Sequence, residues 1–332
     1  IKGVGRSAVE AIVEERKENG SYSSVFECAK RVDLRAANKK AFENLAIAGA
    51  FDSFGAMRSQ YFQLGSDETN YLEKILRSAA RLKESEQAAQ VSLFEDDPSA
   101  QVSEPEIPPC EPWPTMELLR KEKEVVGIYL SGHPLDDFKR ELQLFTKVEV
   151  VALSSELEPY IGREITLGGV VTENEDRLSR NGKRWGTFTL EDYSGAHTFR
   201  VFGEEYLKFE HFFRPGNFLF IRLSIREGYL NRDTGTTSEP RLQFNEVKLL
   251  QDIMEQQSKR LTLHLKAADI NQNQIEKIDK VLKAFKGKKP ISFALHDEDL
   301  NLQLKSRKNQ ITICNELLEQ LDHENIHYTV NA

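Results

Sequence analysis

The sequence predicts a multidomain α+β protein, and three observations support this fold class. The chain has 332 residues, more than one ordinary domain needs. The spacing of apolar residues changes from a helical period to a period of two near Gly162, and it changes again after Gln257. An acidic, proline-rich stretch separates two helical segments. These changes divide the sequence into residues 1–84, 85–114, 115–158, 159–252 and 258–332.

Composition limits what the protein can be. No run of 18 apolar residues occurs, so no transmembrane helix and no membrane partner are expected. The net charge of -8 does not indicate a surface covered in basic patches, so any contact with nucleic acid must be local. Cys28, Cys110 and Cys314 are far apart and odd in number. This pattern argues against a disulfide framework or a zinc site and indicates a reducing, cytoplasmic environment.

Residues 1–84 read as helical, and their opening, "IKGVGRSAVEAIVEER", carries the clearest functional signal. A Gly-Val-Gly turn that enters a helix leaves backbone N–H groups unpaired at the helix start. Glycine lets a phosphate approach that backbone, and the helix dipole favours its negative charge. This is how a helix-hairpin-helix motif holds a DNA backbone without reading its sequence. The predicted duplex-binding residues are Lys2, Gly3, Val4, Gly5 and Arg6.

An ordinary tight turn that uses glycine only for its geometry is the alternative interpretation of that opening. The helical continuation through Ala8, Ile12 and Arg16 favours the DNA interpretation. A second hairpin at Gly49-Ala50-Phe51 lacks the second glycine and is predicted to brace the first by packing. A further helix is predicted from about Asn70 to Ala89.

Residues 85–114 form a predicted linker with six prolines between Pro98 and Pro114. From Ser85 to Ser131, ten acidic residues face only three basic ones. Residues 115–158 form a predicted helical connector. Its first helix starts near Thr115 and is expected to stop at Gly132-His133-Pro134.

Residues 159–252 read as five strands, with a short helix between the third and the fourth. The loop "ENEDRLSRNGKR" between the first two strands contains an Asn181-Gly182 turn signal. Five strands with a helix in this place predict an OB-fold β-barrel. Alternation along the second strand places Phe188 and Leu190 in its core, which leaves Trp185 on the outer face.

The outer face of this predicted barrel carries a candidate single-strand DNA site. Basic residues and stacked aromatic rings are what such surfaces use. The predicted site consists of Arg177, Arg180, Lys183, Arg184, Trp185 and Arg200. In the alternative, Trp185 only covers the barrel mouth and the basic loop is merely solvated; the sequence leaves both interpretations open.

Residues 258–332 read as strand, helix, strand, strand, helix and strand, a small C-terminal α+β domain. A search of the whole sequence for chemistry finds no Walker-type phosphate loop and no His-Glu-x-x-His. No pair of aspartates on neighbouring strands is placed to hold two metal ions. No catalytic, cofactor-binding or metal-binding residue is therefore predicted.

Four stretches, in this order and spacing, resemble the C-terminal half of the alpha subunit of bacterial DNA polymerase III, a replicative C-family polymerase. They are "IKGVGRSAVEAIVEER", "AIAGAFDSFG", "EVVGIYLSGHPLDDF" and "GKRWGTFTLEDYSG". The resemblance implies a helix-hairpin-helix region that holds duplex DNA, an OB domain near the single-stranded template, and a last domain that meets the tau subunit of the clamp loader. It also implies a bacterial, cytoplasmic and nucleoid-associated protein.

The resemblance places the polymerase active site outside this sequence. The family's three metal-binding aspartates, and the Mg²⁺ they hold, would lie upstream of Ile1. The chain begins without Met and is expected to be part of a longer protein. The parent would be a DNA-directed DNA polymerase, a nucleotidyltransferase, whereas an enzymatic role for these 332 residues is left open.

Within the linker, "QVSLF" resembles the peptide that bacterial replication proteins insert into the sliding clamp, the beta subunit. The resemblance implies that Gln90 hydrogen-bonds at the pocket mouth and that Leu93 and Phe94 become buried. The full candidate peptide is Gln90, Val91, Ser92, Leu93 and Phe94. In the alternative, Leu93 and Phe94 pack on this protein's own helices.

The interpretation favoured by the sequence is a DNA-binding, partner-tethering part of a replicative polymerase subunit. A stand-alone single-strand DNA-binding or repair accessory protein is the first alternative, and a Met start would be expected there. An enzyme whose site escapes the motif search is the second alternative.

Overall fold

The computed structural model describes residues 1–91, 103–155, 157–228, 238–297 and 301–331. The chain divides into two compact units, Ile1–Pro134 and Leu135–Ala332. Helices and two β-sheets are both present, in agreement with the predicted multidomain α+β class. No helix within the described ranges is long and apolar enough to cross a membrane.

The first unit is helical, as predicted. Its α-helices within the described residues are α1 (Arg6–Asn19), α2 (Val25–Arg31), α3 (Lys39–Ile47), α4 (Arg58–Tyr61), α5 (Tyr71–Val91) and α6 (Thr115–Val126). Side chains cap α2, α3 and α5, because Ser24, Asn38 and Asn70 each accept a hydrogen bond from the N–H group three residues later. The helix predicted near residues 70–89 is confirmed as α5.

The sixth helix ends earlier than predicted. Its last residue is Val126, and Gly127 follows with φ +92°, a left-handed conformation that ends helices. The expected stop at Gly132-His133-Pro134 was therefore wrong. The apolar residues after Gly127 continue a helical pattern in sequence only.

A column of aromatic rings forms the centre of the first unit. Phe51 lies 5.9 Å from Phe42 and 6.0 Å from Tyr61, and Tyr61 lies 6.0 Å from Tyr71, measured between ring centroids. All four side chains are buried. The second hairpin thus contributes Phe51 to the core, as its predicted bracing role requires.

Part of the predicted linker packs on this unit. Residues 103–114 have no regular secondary structure, but Gln60 donates a hydrogen bond to the Pro108 carbonyl over 2.8 Å. The Tyr71 hydroxyl donates one to the Pro105 carbonyl over 3.3 Å. The ring of Trp113 lies 5.4 Å from that of Phe62. A loose connector was expected here, but carbonyl oxygens and one large ring attach these residues to α4 and α5.

The second unit contains two sheets. Its elements, in chain order, are α7 (Lys139–Phe145), α8 (Ala152–Ser155), β1 (Glu164–Leu178), β2 (Arg184–Glu191), β3 (Ala196–Phe202), α9 (Gly203–Phe209), β4 (Phe218–Arg226), β5 (Arg241–Leu249), α10 (Leu250–Gln257), β6 (Arg260–Lys266), α11 (Gln272–Ala284), β7 (Lys286–His296), β8 (Asn301–Ile311), α12 (Asn315–His323) and β9 (His327–Asn331). Five strands with a helix between the third and fourth are confirmed for the first sheet.

The first sheet has the order β3-β2-β1-β4-β5, and all its neighbours are antiparallel. A closed barrel was predicted, but in the described residues β3 and β5 remain edges that do not pair with each other. Aromatic side chains join the two edges instead. The Phe199 ring of β3 lies 5.7 Å from the Phe244 ring of β5, and Phe213 lies 4.0 Å from Phe188 and 6.2 Å from Phe244.

The hairpin between β1 and β2 is longer and its loop shorter than predicted. Pairing continues out to Leu178 opposite Arg184, so only residues 179–183 turn the chain. Gly182, with φ +73°, donates to the Ser179 carbonyl, as the Asn-Gly turn signal predicts. The outer end of β1 is exposed on both sides, which is why its sequence lost the alternating pattern. Phe188 and Leu190 are buried at 1% and 0% exposure, which confirms the predicted core face.

The second sheet has the order β8-β7-β6-β9. Strands β6 and β7 are parallel and are joined by α11, whereas the other pairs are antiparallel. Apolar residues of α11 and α12 belong to one buried cluster with the strands, including Ile278, Leu282, Leu317 and Leu321. All six elements predicted for this domain are confirmed.

Candidate nucleic-acid interface

The turn before α1 is held in place by backbone contacts. The Lys2 N–H donates to the Val125 carbonyl over 2.7 Å, and the Asn44 side chain donates to the Lys2 carbonyl over 2.6 Å. The Val4 N–H donates to the Ile1 carbonyl over 3.3 Å. Because these groups are already hydrogen-bonded within the protein, the turn is preformed. Its other backbone N–H groups remain available to a ligand.

The remaining donors lie at the first turn of α1. In the part of the chain that the structure describes, the N–H groups of Gly3, Gly5, Arg6 and Ser7 have no hydrogen-bond partner. Gly5 is the N-cap residue, and no side chain caps the helix. Unpaired N–H groups at the positive end of a helix dipole form a site for an anion. Val4, which the sequence included among these donors, contributes its fold-stabilising bond instead.

The two glycines of the turn have different roles. Gly3 has φ +72°, and a Cβ there would lie 2.5 Å from Asn44 Nδ2, so the fold itself requires glycine. Gly5 has φ -70°, and its nearest neighbour to an added Cβ would be Ser7 Oγ at 3.8 Å. The backbone conformation and the space around position 5 thus admit a Cβ without strain. A glycine there therefore leaves open the space in front of the free N–H groups.

Three basic side chains surround this turn. Lys2 is exposed, and Arg6 is 91% exposed although it contacts Glu10 over 2.7 Å. Lys40, at the start of α3, approaches the turn, since its Cγ would lie 3.6 Å from a Cβ built on Gly3. Sequence reasoning missed Lys40, and only the Asn-Lys-Lys helix start could have indicated it. Its ammonium lies 3.8 Å from Glu43, and the Lys40 side chain stays 68% exposed.

The second hairpin forms a buried ion network rather than a free turn. Arg58 lies 2.6 Å from Asp52 and 2.5 Å from Glu122, whose side chain has no exposed surface. Glu122 also accepts hydrogen bonds from the N–H groups of Leu130 and Ser131 and from the Ser131 hydroxyl. Burial alone would raise the pKa of Glu122, but these hydrogen bonds hold its pKa at about 2. The network thus connects the stretch "AIAGAFDSFG", which contains Asp52, to the stretch "EVVGIYLSGHP", which contains Leu130 and Ser131.

Three of the residues predicted to contact single strands lie on one face of the first sheet, namely Arg177, Trp185 and Arg200. Register places Arg177, Trp185 and Phe202 side by side across β1, β2 and β3. The next row toward the core contains Arg200 opposite Thr187. Sequence reasoning missed Phe202, which belongs to the same alternating face as Arg200.

The basic residues of this surface divide into two groups. Arg177 contacts Glu175 over 2.5 Å, and Arg184 contacts Glu210 over 2.9 Å. Arg180, Lys183 and Arg200 are exposed and form no ion pair within the described ranges. These three cations are therefore available to a phosphate backbone.

The candidate clamp peptide lies mostly beyond the described residues. Gln90 and Val91 end α5, and Ser92, Leu93 and Phe94 lie outside the described ranges. Among described residues there is no cluster of three or more His, Cys, Asp or Glu suited to hold a metal ion. The three cysteines are free thiols.

Comparison with known proteins identifies two segments of the chain. The family model described as "Helix-hairpin-helix motif" matches residues 1–61, the segment that contains the α1 turn. The model described as "DNA polymerase III alpha subunit, C-terminal domain" matches residues 261–331.

Similar curated proteins are DNA polymerase III alpha subunits. The one from Escherichia coli O157:H7 is 30% identical over 67% of this chain and 18% of its own length. The one from Thermus aquaticus is 36% identical over 62% of this chain and 16% of its own length. The one from Vibrio cholerae is 24% identical over 100% of this chain and 28% of its own length. The chain thus spans less than a third of the relatives it matches, and it belongs to the family of DNA polymerase III alpha subunits as a C-terminal region of them.

Proposed function

We propose that this chain is the DNA-binding and partner-tethering region of a replicative DNA polymerase subunit. Its first activity is to hold the backbone of duplex DNA at the turn before α1. The observation that carries the proposal is the set of free N–H groups on Gly5, Arg6 and Ser7. Position 5 has no side chain in front of these groups, although the fold itself does not require glycine there.

The chemistry of this turn suits a phosphate. A backbone phosphate oxygen accepts hydrogen bonds from several N–H groups at once, and the dipole of the 14-residue helix α1 favours its charge. Lys2, Arg6 and Lys40 add positive charge around the same point. Contacts of this kind fix the position of the protein on DNA and carry no sequence information.

A carboxylate at position 5 separates DNA binding from stability. Gly5→Asp supplies an N-cap side chain that accepts a hydrogen bond from the first turn, so the protein should melt at an equal or higher temperature. The same carboxylate occupies the donors and repels phosphate, so the affinity for a fluorescein-labelled duplex should fall by tenfold or more, on the order of a phosphate contact. Fluorescence anisotropy and circular dichroism measure the two quantities.

Two further variants complete the test. Gly5→Val should weaken binding equally for unrelated duplex sequences, since only the backbone is contacted. Lys2→Ala should reduce the slope of log K against log salt by about one. Unchanged duplex affinity in Gly5→Asp and Gly5→Val, with the fold intact, would contradict the proposal.

We propose that the first sheet of the second unit acts as an OB-type surface for single-stranded DNA. Its strand order and its helix between β3 and β4 support this assignment, although the sheet is open. Arg180, Lys183 and Arg200 supply free positive charge, and Trp185 supplies an aromatic ring. Alanine at Arg180 and Lys183 together should weaken binding of a (dT)₂₀ oligonucleotide and flatten its salt dependence.

We propose that Gln90–Phe94 docks into a sliding clamp. Support comes from the sequence "QVSLF", whose first two residues end α5, and from the acidic, proline-rich stretch that follows it in the sequence. A short segment with two adjacent large apolar side chains is a common anchor design.

We propose that residues 258–332 dock the tau subunit of the clamp loader. Leu302 and Leu304 on the edge strand β8 are 43% and 44% exposed, which gives this domain an apolar edge. Leu302→Ser with Leu304→Ser should weaken binding to purified tau in calorimetry, whereas Leu207→Ser, at an exposed site on α9, should not. Equal affinity in both variants would remove β8 from this role.

We place nucleotidyl transfer, with its Mg²⁺ ions, in parts of the relatives that this chain does not match. The chain alone should show no primer extension with Mg²⁺ and nucleoside triphosphates. Extension above the level of a buffer control would contradict this assignment.

A further inference from the structure

The Trp185 ring is covered on both of its faces. On one side, the Phe202 ring lies 5.2 Å away at an angle of 18°, which is a stacked arrangement. On the other side, the Arg177 guanidinium lies 5.4 Å from the ring centroid. The two neighbours approach from opposite sides because β3 and β1 flank β2. A nucleobase could stack on Trp185 only by displacing one of them.

Phe202 is the end of this three-layer stack. It lies on the edge strand β3 and is 59% exposed, and among the aromatic rings of the described residues it stacks on that of Trp185. One face of its ring is therefore covered by Trp185, whereas more than half of the residue's surface stays accessible at the edge of the sheet. A single exposed phenylalanine is ordinary in a protein surface. This one differs because stacking on Trp185, which Arg177 backs in turn, fixes the orientation of the ring.

The charges around Phe202 fit a strand of nucleic acid. Arg200 lies two residues earlier on the same face of β3 and forms no ion pair in the described ranges. The hairpin loop adds Arg180 and Lys183. Glu204 is exposed in the first turn of α9, directly after Phe202. A phosphate beside that carboxylate is disfavoured, whereas an uncharged base on the ring is not.

We propose that Phe202 provides the stacking face for an unpaired base, with Trp185 as the positioning residue behind it and Arg200 beside the strand. The proposal rests on the proposed single-strand contact of this sheet, and it moves the stacking role from Trp185 to Phe202. The ligand class is single-stranded nucleic acid in which at least one base is free of its partner. Stacking tolerates every base, so no sequence preference is expected.

The test measures binding of the full chain to (dT)₂₀ and to an abasic oligonucleotide of the same length and charge. Phe202→Ala should weaken (dT)₂₀ binding by roughly 5- to 150-fold, the range for the loss of one base stack. The abasic strand has no base to stack, so its affinity should not change. Phe202→Tyr should retain (dT)₂₀ affinity, and Leu207→Ala, at an exposed apolar site on α9, should bind like the parent.

The outcomes separate this inference from the proposed function. If Phe202→Ala binds (dT)₂₀ as well as the parent while Arg180→Ala with Lys183→Ala binds more weakly, the stacking role is overturned and the single-strand contact stands. If neither variant changes affinity, both are overturned. Equal losses for (dT)₂₀ and the abasic strand in Phe202→Ala would also overturn stacking, because they would show a general disturbance of the surface.

Discussion

Loss of the Arg58 side chain should strongly destabilise the first unit. It is 13% exposed, and it lies 2.5 Å from Glu122, a carboxylate with no exposed surface. In Arg58→Met, Glu122 keeps its hydrogen bonds from Leu130 and Ser131 but loses the only cation within ion-pair distance in the described residues. Removing one partner of a buried ion pair costs about 3–5 kcal/mol. Asp52, which is half exposed, should add little because water solvates it.

Urea unfolding of the full chain can measure this loss. Trp113, packed on Phe62, reports the first unit once Trp185→Phe has removed the other tryptophan. With an m-value of about 2 kcal/mol/M, the midpoint of Arg58→Met should fall by about 1.5–2.5 M. Arg77→Met removes the exposed Arg77–Glu73 pair, in which the arginine is 61% exposed, and should shift the midpoint little.

Two results would refute the reasoning about this network. One is a change of less than about 1 kcal/mol in Arg58→Met, which is the value of an exposed pair. The other concerns the double variant Arg58→Met with Glu122→Gln, which removes the buried charge but keeps an oxygen for the Leu130 and Ser131 N–H groups. It should be more stable than Arg58→Met alone, and equal or lower stability would show that an unpaired charge is not the cause.

Three further predictions concern other parts of the chain. Glu141 is fully buried, its Oε2 and Asn315 Oδ1 have no partner in the described residues, and burial raises the pKa of this carboxyl. The contribution of the Glu141 carboxyl to stability is therefore greatest below the unfolded pKa of about 4.3 and is lost as pH rises through the folded pKa. Glu141→Gln should therefore flatten the pH dependence of thermal unfolding, and the variant should be more stable than the parent protein at neutral pH. Leu93→Ala with Phe94→Ala should abolish clamp binding in calorimetry without changing the melting temperature, and a lower melting temperature would assign these side chains to the protein's own core. Gly3→Ala should lower the melting temperature through its φ of +72° and its contact with Asn44, and an unchanged value would refute that reading of the turn.

Elements with a strong period could be predicted from the sequence. Helices α11 and α12 bury one apolar face each, so residues such as Ile278 and Leu317 identify them locally. The end of α6 could not be predicted, because Gly127 adopts its left-handed conformation inside an apolar run. The packing of residues 103–114 was also missed, since it depends on carbonyl oxygens of Pro105 and Pro108, which leave no pattern in sequence.

The candidate site was likewise predicted where its residues form a local motif and missed where they meet only through tertiary packing. The Gly-Val-Gly turn is a local motif, so sequence alone indicated its donors. Lys40 and Asn44 join it only through tertiary packing of α3. Likewise, Trp185 was visible as an aromatic residue beside basic ones, but the covering of both its faces depends on strand register. That register reveals Phe202, which no local pattern distinguished.

The central claim is that free N–H groups at the α1 turn bind the DNA backbone, and glycine amide resonances test it most directly. Protein labelled with ¹⁵N only at its 19 glycines should be titrated with duplex DNA, with Gly3 and Gly5 assigned from single variants. The account predicts that the Gly5 amide, and to a lesser degree that of Gly3, shifts on binding, whereas those of Gly20 and Gly55 do not. If duplex DNA binds and the Gly5 amide stays unmoved, the phosphate is held elsewhere and the account is contradicted.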